Sequence, residues 1–205
     1  MKANKTYLKS FCTIQNNQVL LNGEVVFSIE PTAFSDFSKK TYQYFDMNYP
    51  KFFKMDNLSK LAFLGAELLL RTENDASTEN NTALVFANKS SSLDTDVKYH
   101  NSISDPENYY PSPAVFVYTL PNICLGEISI KHQLKSENSF FIFVDYNPEF
   151  MAKYSNILLE NQKADKVLCG WVEYFNEDYK AFLYLVDKKG ELVHEQELLK
   201  KLYNK

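Results

Sequence analysis

Glycine is scarce in this chain of 205 residues, which holds only five. Neither GxGxxG nor GxxxxGKS/T can be written from them, so the loops that cradle phosphates through bare backbone amides are excluded. Basic charge is also short. Lys and Arg total 22 against 26 Asp and Glu, for a net charge of −4. A global basic field is therefore missing, and no nucleic-acid partner is expected. Cysteine appears three times, as Cys12, Cys124 and Cys169, widely spaced and without a CxxC pair. That count supports neither a zinc knuckle nor a disulfide framework, and a reducing cytoplasm is the expected compartment. Long apolar runs are absent as well. The most apolar stretch, residues 58–70, is interrupted by Ser59, Lys60 and Glu67, and falls short of the roughly 20 residues a membrane span needs. The opening MKANKTYLKS lacks the apolar centre of a signal peptide.

What is present is apolar and aromatic matter. Hydrophobic residues make up 45% of the chain, with 14 Tyr and 16 Phe. That suffices for a full core, and one domain over residues 1–205 is the expectation. A β-rich preface is read over 7–28, where short apolar runs are parted by Asn16-Asn17 and Asn22-Gly23. Asparagine-glycine between such runs is a strong hairpin signal. Residues 30–54 read as loop with one short helix. A helix capped by Asp56 or Asn57 follows over 58–70, apolar on nearly every side and so buried or interfacial. Residues 72–81 read as a solvated loop, and 83–87 (ALVFA) as a buried strand. Residues 88–112 read as a long polar connection. A helix starts at Pro113, breaks near Pro121 and runs toward Lys131. Residues 140–144 (FFIFV) read as a second buried strand. Residues 148–162 read as an amphipathic helix with proline at its start. Residues 167–175 and 181–186 form a hairpin, and 191–205 a polar helical tail. The order predicts an α/β fold with a mainly parallel sheet, an antiparallel edge hairpin and helices on both faces.

The strings YPKFFKMDNLSKLAFLGAELLL, NKSSSLDTD, PSPAVFVYTLPNICLGEISIKHQLKSENSFFIFVD and ADKVLCGWVEYF resemble, in order and spacing, the N-terminal half of the β-ketoacyl-acyl-carrier-protein synthases. The likeness is to divergent, thiolase-like members such as those found in flexirubin and aryl-polyene gene clusters. The resemblance covers residues 40–187 and implies one half of a thiolase-like fold. In the family, a strand ends in Val-Asp followed by Thr-Ala-Cys, the elbow that carries the nucleophile. Here Asp145 is followed by Tyr146, Asn147 and Pro148, so proline, or asparagine in a register shifted by one, stands at the cysteine position. Neither forms an acyl thioester. The two histidines and the lysine of the family's second half are not expected among these 205 residues, which the resemblance aligns with the first half. The resemblance thus implies a cysteine-less, non-catalytic accessory or scaffold subunit of fatty-acid or polyketide assembly, a pseudoenzyme with no catalytic residue, no cofactor and no metal. Its expected partners are a second copy of itself or a full-length ketosynthase, with an acyl carrier protein as a further one.

Several residues carry rival readings. Cys124 is a displaced nucleophile or a small buried apolar residue, and Cys169 is core. His100 and His132 are an acid–base or metal pair, or separate solvated histidines; no HxxxH spacing joins them. His194 is expected to be exposed. Asp94 and Asp96 are metal ligands, or turn formers bonding backbone amides. Asn88, Ser90, Ser91, Asp94, Cys124 and His132 make up the candidate ligand or partner surface. The aromatic stretch from Tyr42 to Phe53, with Lys39, Lys40, Lys51 and Lys54, is core, interface or a dock for an acidic carrier protein. Two alternatives to the accessory role stay open: a residual acyl-transfer enzyme using Cys124 or His132, and a plain binding module on an inherited fold.

Overall fold

The structure, a computed structural model, describes residues 5–71 and 81–205. It opens with β1 (Tyr7–Gln15), β2 (Gln18–Leu21) and β3 (Glu24–Ser28). The turns between them are the expected two-residue pairs. Asn16 and Asn17 have φ of 50° and 57°, Asn22 and Gly23 of 53° and 90°, the left-handed backbone that suits the twist of hairpin strands. Next come α1 (Phe34–Tyr44), a 3-10 turn (Pro50–Lys54), α2 (Asn57–Leu70), β4 (Thr82–Asn88), α3 (Leu93–Ile103), the single-turn α4 (Pro113–Phe116) and α5 (Ile123–His132). The chain continues with β5 (Asn138–Ile142), α6 (Pro148–Glu160), β6 (Lys166–Phe175), β7 (Asp178–Asp187), β8 (Leu192–Val193) and α7 (Gln196–Tyr203).

Among the described residues eight strands join one sheet, in the order β3-β2-β1-β7-β6-β4-β5, with β8 added to β1. The α/β class and the helices on both faces are as expected. The sheet itself is mixed rather than mainly parallel. Only β4 pairs in parallel, with β5 and with β6; every other pairing is antiparallel. The β6–β7 hairpin is not at an edge, because β1 pairs along the whole outer side of β7, from Tyr7 opposite Asp187 to Gln15 opposite Lys180. The preface is thus built into the sheet.

Side chains alternate across the sheet with the period of two that strands impose. Leu84, Phe86, Leu168, Val172, Leu183 and Leu185 join α1, α2 and α5 in the larger core. Val85, Ala87, Cys169, Trp171, Phe182 and Tyr184 join α6 and α7 in the smaller one. Helix α2 is buried almost all round, as its composition demands. Its Asp56 cap accepts the Ser59 amide at 3.0 Å. The helix approaches the sheet where two glycines face Leu183. A Cβ on Gly65 would lie 2.8 Å from the Leu183 side chain, and one on Gly170 would lie 2.1 Å from the Phe182 carbonyl oxygen.

Four local expectations are corrected. The stretch 88–112 is not an open connection, since α3 fills its centre. The Thr95 and Asp96 amides bond the Ser92 carbonyl, and acidic Asp94 and Asp96 sit in the first turn, where the helix dipole favours them. Residues 30–54 hold a full eleven-residue helix, α1. Strand β5 is not buried: among the described residues it is an edge strand, with Ile142 49% exposed and Val144, two residues beyond its end, 77% exposed. The tail begins with β8, and His194 is 4% exposed, held against the N-terminal segment. The solvated loop expected over 72–81 lies, apart from Asn81, outside the described residues.

Candidate functional site

In this topology the carboxyl ends of β4, β5 and β6 lie side by side, where α/β sheets gather ligands. The β4 end bears residues 88–92, the β5 end residues 143–147, and the β6 end the turn at Asn176 and Glu177. The chain's own bonds fill much of this end. The Asn88 side chain accepts the Ser91 amide at 2.9 Å and donates to the Ser91 carbonyl at 2.8 Å. The Asn88 carbonyl accepts the Phe143 amide. A single carboxylate oxygen of Glu173 accepts the amides of Lys89 at 2.7 Å and Ser90 at 3.1 Å. Asp94 accepts the Asn176 amide at 3.2 Å and pairs with Lys98. Asn88, Ser90, Ser91 and Asp94 therefore build a loop. Among the described residues no group of three His, Cys, Asp or Glu could hold a metal ion.

Cys124 and His132 do not reach this surface. Cys124 is buried, and burial, with the Asp56 charge adding to it, pushes its thiol well above the ordinary range. Its sulfur donates to the Pro121 carbonyl at 3.1 Å. A thiol so held is a core residue and a poor nucleophile. His132 Nε2 lies 2.9 Å from Glu67 Oε2 between α5 and α2, near enough for an ion pair but off hydrogen-bond alignment. Burial alone would raise the Glu67 carboxyl, but His132, Lys131 and Arg71 outweigh it and hold the group below its ordinary value. The nearby Glu127 carboxylate accepts the hydroxyls of Tyr118 (3.0 Å) and Tyr49 (3.2 Å) and pairs with Lys51 at 2.8 Å. Of the aromatic stretch, Tyr42 and Phe52 are core, whereas Tyr44 and Phe53 are exposed.

The segment Asp145–Pro148, expected to stand at the elbow, is organised for helix capping. The Asn147 side chain accepts the Phe150 amide at 3.0 Å, and Pro148 is the first residue of α6, the position its fixed φ suits. Asp145 is exposed. Tyr146 turns inward, its ring stacked 4.5 Å from that of Tyr203 and edge-on to Trp171 and Phe182. Burial drives its hydroxyl well above the ordinary range. A groove of 570 Å³ runs between the start of α6 and α7, lined by Asp145, Asn147, Glu149, Gln196 and Lys200, with Tyr146 and Tyr203 in its wall. Sequence reasoning missed α7's part in this site. The amphipathic Leu198, Leu199 and Leu202 pattern was the available signal, but nothing local says which surface it covers.

No family model matches the chain, and no curated protein sequence does. Solved structures do. The ishigamide ketosynthase/chain length factor superposes with a TM-score of 0.64 at 14% identity, over 89% of this chain and 62% of that one. A chain from the complex of a ketosynthase with its chain length factor, from Xenorhabdus doucetiae, gives 0.60 at 12% identity, over 98% of this chain and 90% of that one. A chain from a type II polyketide-synthase acyl carrier protein in complex with its ketosynthase gives 0.59 at 12% identity, over 98% and 66%. The chain thus spans 62% of the first of these and nearly all of the second. The fold expected from the elbow and TLPN strings is present: the chain has the thiolase-like fold of ketosynthases and their chain length factors.

Proposed function

We propose that the protein is a non-catalytic, ketosynthase-like subunit that associates with a full-length ketosynthase in fatty-acid or polyketide assembly of the aryl-polyene kind. The observation that carries this reading is the elbow. At the positions that the resemblance aligns with the nucleophile the chain has Asn147 and Pro148, an N-cap and the first residue of a helix. All three cysteines are buried and free, and burial raises Cys12 and Cys169 to about 12. No thiolate is on hand for acyl transfer, which speaks against residual chemistry at Cys124 or His132. The second similar structure, matched over nearly its whole length, comes from a complex of a ketosynthase with its chain length factor, and it supports the accessory role. The free thiols suit a reducing compartment such as the cytoplasm.

Strand β5 is the surface we assign to the partner. Among the described residues one side of it is unpaired, which in an exposed apolar strand invites another strand. Phe116, Leu120 and Ile130 on α4, the following turn and α5 are also exposed, more apolar surface than scattered single residues explain. Co-expression with a ketosynthase from the same gene neighbourhood tests the assignment. The two chains should co-purify as a stoichiometric complex, and Val144→Lys with Ile142→Lys should abolish it while the fold survives. Intact-mass measurement after mixing with acyl-loaded carrier protein should find no covalent adduct. A homodimer that excludes the ketosynthase would make the second copy the partner, and an adduct removed by Cys124→Ala would restore the enzyme reading.

A further inference from the structure

The smaller core contains a side chain that is seated like a bound ligand. Tyr203, on the last turn of α7, inserts its ring among Tyr146 (4.5 Å, stacked), Phe182 (6.0 Å) and Trp171 (6.4 Å), both edge-on. Its main-chain carbonyl oxygen accepts the Lys180 ammonium at 2.6 Å, and the same nitrogen stands 4.1 Å from its ring centroid. Lys180, Phe182 and Tyr184 alternate along β7 onto this one face. Ring, two carbons and an acceptor oxygen are what the chamber holds. The segment that delivers them is short: two strand residues on β1, a buried His194 and eight helical residues anchored by Leu199 and Leu202. Elements with so few buried anchors open locally at a fraction of the global cost. Tyr146 and Tyr203 also line the 570 Å³ groove beside α7.

We propose that the strap of β8 and α7 is a displaceable plug, and that the chamber under it is a binding site for an arylalkanoate. The ligand's ring replaces that of Tyr203 between Tyr146 and Trp171, and its carboxylate replaces the carbonyl oxygen on Lys180. The charge of that carboxylate strengthens the hydrogen bond that the neutral carbonyl makes. The site is independent of the β5 edge, so its failure would leave the accessory role standing.

The probe is 3-(4-hydroxyphenyl)propanoate, the skeleton Tyr203 itself presents, added to the full chain. Trp171 is the sole tryptophan, so acrylamide quenching of its emission reports on the chamber directly. Wild-type protein should be shielded, Tyr203→Ala several-fold more quenchable, and the probe should restore shielding and raise the melting temperature of that variant, as a ligand of the native state must. Lys180→Gln in the Tyr203→Ala background should remove most of the rise. In the wild type, saturating probe should speed amide hydrogen exchange across α7. A Tyr203→Ala variant still shielded without ligand, or a probe that stabilises both variants equally, overturns the site. Unchanged exchange of α7 in the wild type overturns the displaceable plug, and this readout decides even if Tyr203→Ala does not fold.

Discussion

The two faces of the sheet bury polar groups in opposite ways. The larger core, under α1, α2 and α5, takes in carboxylates and sets partners against them: Glu67 lies beside His132, off hydrogen-bond alignment, and Glu127 gathers two tyrosine hydroxyls and Lys51. The smaller core, under α6 and α7, keeps its most deeply buried titratable groups neutral. Tyr146 and Tyr184 sit with hydroxyls 3.5 Å apart, both held protonated by burial. His194, close to the side chains of Thr6 and Asn156, is lowered to about 4 by burial alone. A buried charge needs its counter-charge, whereas a neutral group needs only that the proton stay where it is. The two faces should therefore fail under different insults.

The sharpest blow falls on the charged face, where helix and sheet touch. Gly170→Ala drives a methyl group onto the Phe182 backbone, which cannot yield, and should cost roughly 5 kcal/mol, enough to prevent folding of an ordinary domain. Gly65→Ala meets only the flexible end of Leu183 and should cost about 1 to 3 kcal/mol. Soluble yield and urea midpoints separate the two. Next, His132→Leu leaves the Glu67 carboxylate in the interior without the ring that faces it and should cost about 4 kcal/mol, most of it recovered by adding Glu67→Met, which removes the stranded carboxylate and its desolvation. Urea titration at neutral pH reads this. The neutral face answers to acid. The folded protein holds His194 at about 4 against 6.5 for the free side chain, so the unfolded chain takes up the proton first. Stability should fall as pH drops from 6.5 to about 4, by about 3 kcal/mol at most. His194→Gln should flatten that slope. Glu67 behaves otherwise: its lowered value keeps its contribution intact above the ordinary carboxylate range and loses it only as pH falls through the folded value. The smallest effect belongs to the elbow. Asn147→Ala removes one cap and should cost about 1 kcal/mol by thermal melt, leaving partner binding unchanged.

What the sequence made legible was local. Asn16-Asn17, Asn22-Gly23, the Asp56 cap and the Asn147-Pro148 helix start each act within a few residues, and each is found where its chemistry placed it. The TLPN and elbow strings were enough to anticipate the fold. What was missed depends on distant partners. His194 is buried because Thr6, 188 residues earlier, lies beside it, and Tyr203 because Tyr146 and Trp171 receive it. Strand β5 looked central because FFIFV is apolar; only the sheet order reveals that one side is unpaired. Helix α3 was hidden by Ser and Asp residues that start helices as readily as turns.

The burial of all three thiols has a practical side. With each sulfur in the interior and none paired, the native chain is blind to alkylating reagents and indifferent to mild oxidants. It should purify without added reductant and give no signal in a thiol titration until it unfolds. Such a background is silent, so one cysteine introduced at Ile142 becomes the only reactive sulfur on the surface. Whether that sulfur crosslinks to a second copy of itself or to a cysteine on another chain would then report directly which neighbour the edge keeps.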